Sequence, residues 1–129
     1  MFAALSSRER RHRECAELIA TAPGPLLLPQ TTLAEVAYLI NRGRNRPDLE
    51  HRWLLDLASG ILIPTCVEPV DWLRIAELVW QYRELPLGTV DASIVAIAER
   101  LGITRIATLD RRDFLAVRPR HVEAFELLP

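Results

Sequence analysis

Short apolar runs at residues 26–28, 61–64, 104–109 and 122–128 alternate with longer stretches of helical periodicity, and this order restricts the chain to an α/β fold. Ser6 with Glu9 has capping-box spacing, and Cys15, Leu18 and Ile19 recur at helical intervals. A helix is therefore expected to about Ala22, ended by Pro23-Gly24-Pro25. After the run at 26–28, Thr32 and Glu35 offer a second capping box for a helix to about Arg42. Pro47 begins a third helix, with Trp53, Leu54, Leu57 and Ala58 on one stripe, which stops at Gly60. A fourth starts at Pro69 and carries Trp72, Ile75, Ala76, Val79 and Trp80 as far as the loop Leu85-Pro86-Leu87-Gly88. A fifth, N-capped by Thr89, ends at Gly102. In the last run Val122, Ala124 and Glu126 alternate with Glu123, Phe125 and Leu127, as in a strand. Strands separated by helices imply a mostly parallel sheet covered on both faces.

At 129 residues the chain fits one domain with one core, burying about two thirds of the surface exposed when unfolded. Half the residues are apolar and the formal charge is −1, which excludes disorder and a globally basic nucleic-acid binder. An anionic ligand must then be met by a local patch. Arg8, Arg10, Arg11 and Arg13 form one candidate, and Arg42, Arg44 and Arg46, in the loop expected at residues 41–47, form another. A solvated helix face or loop is the ordinary reading of either. All sixteen basic residues are arginine, which suits bidentate phosphate contacts but is more simply a mark of a GC-rich genome. Cys15 and Cys66 lack CxxC spacing and fit reduced thiols in a cytoplasmic setting. No apolar run is long enough to span a bilayer.

Within this framework three acids stand out. Glu35 is the only charge in residues 33–40, Asp91 is the only charge between Glu84 and Glu99, and Asp110 closes the run Arg105-Ile106-Ala107-Thr108-Leu109. Each has a structural explanation: Glu35 as partner of Thr32, Asp91 as a favourable charge in a first helical turn, Asp110 as a turn cap. Asp91 shares a stripe with Ile94, Val95 and Ala98, which favours a functional role for it. Ligands of parallel sheets gather beyond the carboxyl ends of the strands, where these acids are expected to meet. Together they suit a hard, oxygen-coordinated ion such as Mg²⁺ or Mn²⁺, which can activate water and neutralise a phosphodiester. His12, His51 and His121 lack metal-ligand spacing, and no G-x-S-x-G, phosphate loop or G-x-G-x-x-G is present.

Three segments, Leu33-Ala34-Glu35-Val36-Ala37-Tyr38-Leu39, Leu87-Gly88-Thr89-Val90-Asp91-Ala92-Ser93 and Ala107-Thr108-Leu109-Asp110-Arg111-Arg112-Asp113-Phe114, resemble in order and spacing those of the PIN-domain ribonucleases, within them the VapC-like toxins. The resemblance implies a three-layer α/β/α sandwich with a mostly parallel central sheet. It also implies a Mg²⁺- or Mn²⁺-dependent endoribonuclease, a homodimer, and a VapB-like antitoxin as partner. By position Glu35, Asp91 and Asp110 match the family's catalytic metal-site acids, and Asp113 is a secondary ligand that otherwise pairs with Arg111, Arg112 or solvent. Ser93 and Thr108 are candidate hydroxyls for orienting a carboxylate. Trp53, Trp72 and Trp80 offer either core or an apolar surface for dimerisation.

Family members open with an apolar strand ending in Asp. Met1-Phe2-Ala3-Ala4-Leu5 resembles the residues just after it, so a single domain over residues 1–129 without that strand is expected. Its sheet would carry a gap and unpaired edges, leaving the chain less stable and less active, or dependent on an assembly partner. The alternative function is accordingly a catalytically weakened module that binds an antitoxin or RNA without turnover. A receiver-type phosphorylation domain also uses acids at strand ends, but needs a lysine that this chain lacks.

Overall fold

The computed structural model describes residues 1–42, 46–85 and 87–129. Arg44, part of the loop expected at residues 41–47, and Pro86 of the second expected loop fall outside them. The chain packs as two compact units, Met1–Cys66 and Val67–Pro129.

The first unit runs α1 (Phe2–Leu5), α2 (His12–Thr21), β1 (Leu26–Pro29), α3 (Gln30–Asn41), α4 (Pro47–Ala58) and β2 (Leu62–Thr65). β1 and β2 are parallel, with Leu26 opposite Leu62 and Leu28 opposite Pro64. Leu28 and Leu62 join Leu5, Val36, Ile40, Leu49 and Trp53 in one buried cluster, while Ala3, Ala4 and Cys15 seal α1 against α2. Pro47 opens α4 where its missing N–H costs nothing, and Gly60, at φ 78°, turns the chain toward β2.

The second unit runs α5 (Pro69–Gln81), α6 (Thr89–Leu101), β3 (Arg105–Ala107), α7 (Arg111–Ala116) and β4 (Glu126–Leu128). β3 and β4 are again parallel. Leu78, Ala92, Val95 and Val117 are sealed in a second cluster with Ile75, Ile106, Phe114 and Phe125. Gly102, at φ 68°, ends α6 as the left-handed C-cap expected of it. No described helix is long and apolar enough to cross a membrane.

Parallel pairing between helices follows the expected order, the strands among the described residues form two two-stranded sheets, and each unit holds buried clusters of its own. Neither expected N-terminal capping box forms. Ser6 is buried as the C-cap of α1, donating its N–H to the Phe2 carbonyl at 3.1 Å, so α2 starts only at His12. Thr32 lies inside α3 and donates its hydroxyl to the Pro29 carbonyl at 2.7 Å. Gly88, not Thr89, is the N-cap of α6. The last strand is shorter than its alternation suggested, and a helix, α7, follows Asp110 where a turn was expected.

The α5 stripe is rotated from the expected one. Asp71, Ile75 and Leu78 face inward, leaving Trp72 and Trp80 exposed at 52% and 72%. A buried acid on the inner face explains the mismatch, since hydrophobic periodicity passes over it. Asp71 is neutralised by Arg100 of α6, whose Nε lies 3.0 Å from both carboxylate oxygens. One turn along, Arg74 donates to Glu99 through Nε and a terminal nitrogen at 2.7 and 2.9 Å. The Arg120 amide adds a third donor to Glu99 at 2.9 Å. Burial pushes the Glu99 carboxyl up, but these donors and the neighbouring positive charges outweigh it and hold the group below the usual carboxylate range.

Candidate active site

The four acids singled out by sequence divide between the units. Glu35 lies in α3 of the first unit, after the Thr32 turn, and its side chain is exposed. With Thr32 bonded to Pro29, the capping role that competed for Glu35 is not taken up, and Glu35 makes no hydrogen bond or ion pair among the described residues.

Asp91, Asp110 and Asp113 belong to the second unit. Asp91 stands half-buried in the first turn of α6, beside the fully buried Ala92 and Ser93. A first turn favours a negative charge through the helix dipole. Ser93 donates its hydroxyl to the Val90 carbonyl at 2.6 Å, which ties down the turn that carries Asp91. The chain reverses at Gly102, where the Ile103 amide donates to the Ala98 carbonyl at 2.8 Å. β3 then runs out to Thr108 and Asp110.

Asp110 is the N-cap residue of α7, exposed, with no cap bond from its carboxylate. Thr108 holds its backbone instead: the Asp110 amide donates to the Thr108 hydroxyl oxygen at 3.1 Å. One helical turn on, Asp113 is 4% exposed, packed with the buried Phe114 and Val117. It does not pair with the neighbouring arginines: Arg111 donates to the Leu127 carbonyl at 3.3 Å. Among the described residues no protein donor meets the Asp113 carboxylate, and its oxygens are not among the fully buried polar atoms without a partner, which are Trp53 Nε1 and His121 Nδ1, so they stay open to solvent. Its burial was invisible in sequence, because Asp113 directly follows two arginines and reads as surface.

Among the described residues, no three of His, Cys, Asp or Glu are gathered closely enough to hold a metal ion. What the acids offer is a uniformly hard oxygen donor set. A concavity of about 560 Å³ in the first unit, lined by Ala16, Ile19, Ala20, Arg52 and Asp56 among others, includes none of them.

Comparison with known proteins shows what the chain resembles. The PIN domain family matches residues 1–118. Ribonuclease VapC26 of Mycobacterium tuberculosis (strain ATCC 25618 / H37Rv) is 30% identical over 129 residues, spanning all of this chain and 95% of that protein. The crystal structure of Mycobacterium tuberculosis VapC20, a sarcin-ricin loop cleaving toxin, superposes with a TM-score of 0.78 at 20% identity, covering 95% of this chain and 92% of the other. At that identity the likeness establishes the fold, the α/β/α sandwich.

Proposed function

The chain belongs to the PIN-domain family, in its VapC-like branch, and from that premise we propose that it is a metal-dependent endoribonuclease, the toxin half of a toxin–antitoxin pair. The observation that carries this reading is the end-to-end match to a ribonuclease in a chain that holds acids in three family-like motifs.

Glu35, Asp91 and Asp110 are proposed as the acids that hold the ion, with Asp113 as an accessory ligand. Their chemistry fits a hard divalent cation, Mg²⁺ or Mn²⁺, which takes carboxylate oxygens and leaves positions for water and phosphate. The Asp113 carboxylate, which meets no protein donor among the described residues and stays open to solvent, supports the assignment as an oxygen ligand still available to an ion. When bound, such an ion lowers the pKa of water and neutralises charge on the phosphodiester under attack. The chain's own part is to orient. Thr108 fixes the Asp110 backbone, Ser93 fixes the first turn of α6, and Phe114 with Val117 fixes the turn bearing Asp113. The substrate class is a structured RNA such as a transfer or ribosomal RNA. A VapB-like antitoxin and a second copy of the chain are the proposed partners, in the cytoplasm.

The test is RNA cleavage by the parent and by Asp91→Asn, each with Mn²⁺ and with chelator, after removal of any copurified partner. Metal-dependent cleavage by the parent alone is expected. Absence of cleavage in a folded parent would instead select the module that binds without turnover.

A further inference from the structure

Each arginine cluster already has one charge paired with a carboxylate. Arg11 is committed to Glu14, with Nε 2.9 Å from the carboxylate, and Arg46 is committed to Asp48 at 2.9 Å. Seven of the described arginines lie within ion-pair distance of a carboxylate. Arg8, Arg10 and Arg13 make no ion pair and no hydrogen bond among the described residues, and all three are exposed.

The segment that carries them is held in place. His12 Nδ1 lies 3.0 Å from the Ala3 carbonyl, and the Glu9 amide donates to Ser6 at 3.0 Å. These bonds tie the turn to α1, whose Ala3 and Ala4 are buried against Cys15 of α2. The guanidinium groups therefore project from a fixed backbone. Residues 7–14, Ser-Arg-Glu-Arg-Arg-His-Arg-Glu, contain no apolar side chain, and four arginines against two glutamates make them net positive in a chain of charge −1. A protein interface needs apolar anchors at its centre, which this segment lacks. A phosphate backbone needs only cations in fixed positions.

We propose that Arg8, Arg10 and Arg13 form a phosphate-binding track for the RNA substrate. The proposal rests on the ribonuclease reading for the identity of the polyanion, but not on turnover. Arg11, already paired with Glu14, is not needed by the track.

Binding of a fluorescein-labelled single-stranded RNA to the full chain, without metal and across a salt series, tests it. Each phosphate contact contributes about 0.7 to the slope of log affinity against log salt, so Arg8→Gln/Arg10→Gln/Arg13→Gln should flatten the slope by about two. Between 50 and 200 mM salt the parent should then lose roughly 20-fold more affinity than the triple variant. Arg52→Gln, an exposed arginine of α4, should leave the slope unchanged, and circular dichroism should show both variants folded. With Mn²⁺, cleavage by the triple variant should show a raised KM at unchanged kcat. An unchanged RNA slope in the folded triple variant overturns the track, including the case in which only binding to polyglutamate weakens, which would mark an acidic protein as the occupant. A parent that binds RNA with the expected slope but never cleaves it would overturn the ribonuclease reading and leave the track standing.

Discussion

Asp113 is 4% exposed, yet its carboxylate oxygens are not among the fully buried polar atoms without a partner, so the side chain packs its stem and leaves its acid to solvent or to an ion. As an accessory ligand it should matter less than the acids proposed to hold the ion: Asp113→Asn, which keeps the shape and removes the charge, should reduce Mn²⁺-dependent cleavage by about 10-fold. Unchanged cleavage in the folded variant would remove Asp113 from the proposed site. For Asp91→Asn the expected outcome is a loss of metal-dependent cleavage exceeding 100-fold or so, because even the outer partners of metal ligands are worth about 10- to 100-fold. Retained cleavage would remove Asp91 from the proposed metal site. At this scale the sequence identifies which acids to examine but not how they are housed. Asp91 was legible as an inward-leaning acid because apolar residues share its stripe. Asp113 and Asp71 were not, since burial of an acid depends on contacts with residues far along the chain.

Among the elements, α5 shows how a correctly placed helix can carry a misjudged face. Proline marked its start, but α5 covers Pro69–Gln81 and stops short of the loop expected at Leu85-Pro86-Leu87-Gly88. Its tryptophans suggested the wrong inner stripe, because Asp71 occupies a position that hydrophobic periodicity scores as outside. Leu78→Ala, at a position with no exposure, should cost about 2–5 kcal/mol in urea unfolding. Trp80→Ala, at the exposed face, should stay within about 0.5 kcal/mol. Equal costs would contradict the rotation described. The Arg74–Glu99 contact between α5 and α6 adds a pH dependence whose sign follows from the lowered Glu99 pKa. Below its unfolded pKa the unfolded chain takes up the proton more readily, so this contribution is complete above that value and disappears as pH falls through the folded one. Glu99→Gln should flatten the acid limb of a stability–pH curve, and an unchanged limb would place the acid sensitivity elsewhere.

For the whole molecule, the alternation of helices with parallel strands was readable from punctuation and apolar runs, and the PIN-domain match bears out that reading. The division into Met1–Cys66 and Val67–Pro129 was not, because which strands pair is decided by long-range contacts that no local pattern encodes. If the acids hold a cation as proposed, the ion binds the native chain alone, and an excess of about 100 Kd should add about 2.7 kcal/mol to stability. Differential scanning calorimetry with Mn²⁺ should show that rise in the parent and not in Asp91→Asn; equal rises in both would mean that the ion binds elsewhere. The boundary between the units also has a practical side. Its last residue on the first side is Cys66, exposed, while the other cysteine, Cys15, is buried under α1. A maleimide dye added to the native protein should thus attach at one address only, giving a fluorescent reporter at the end of the first unit without any engineered residue.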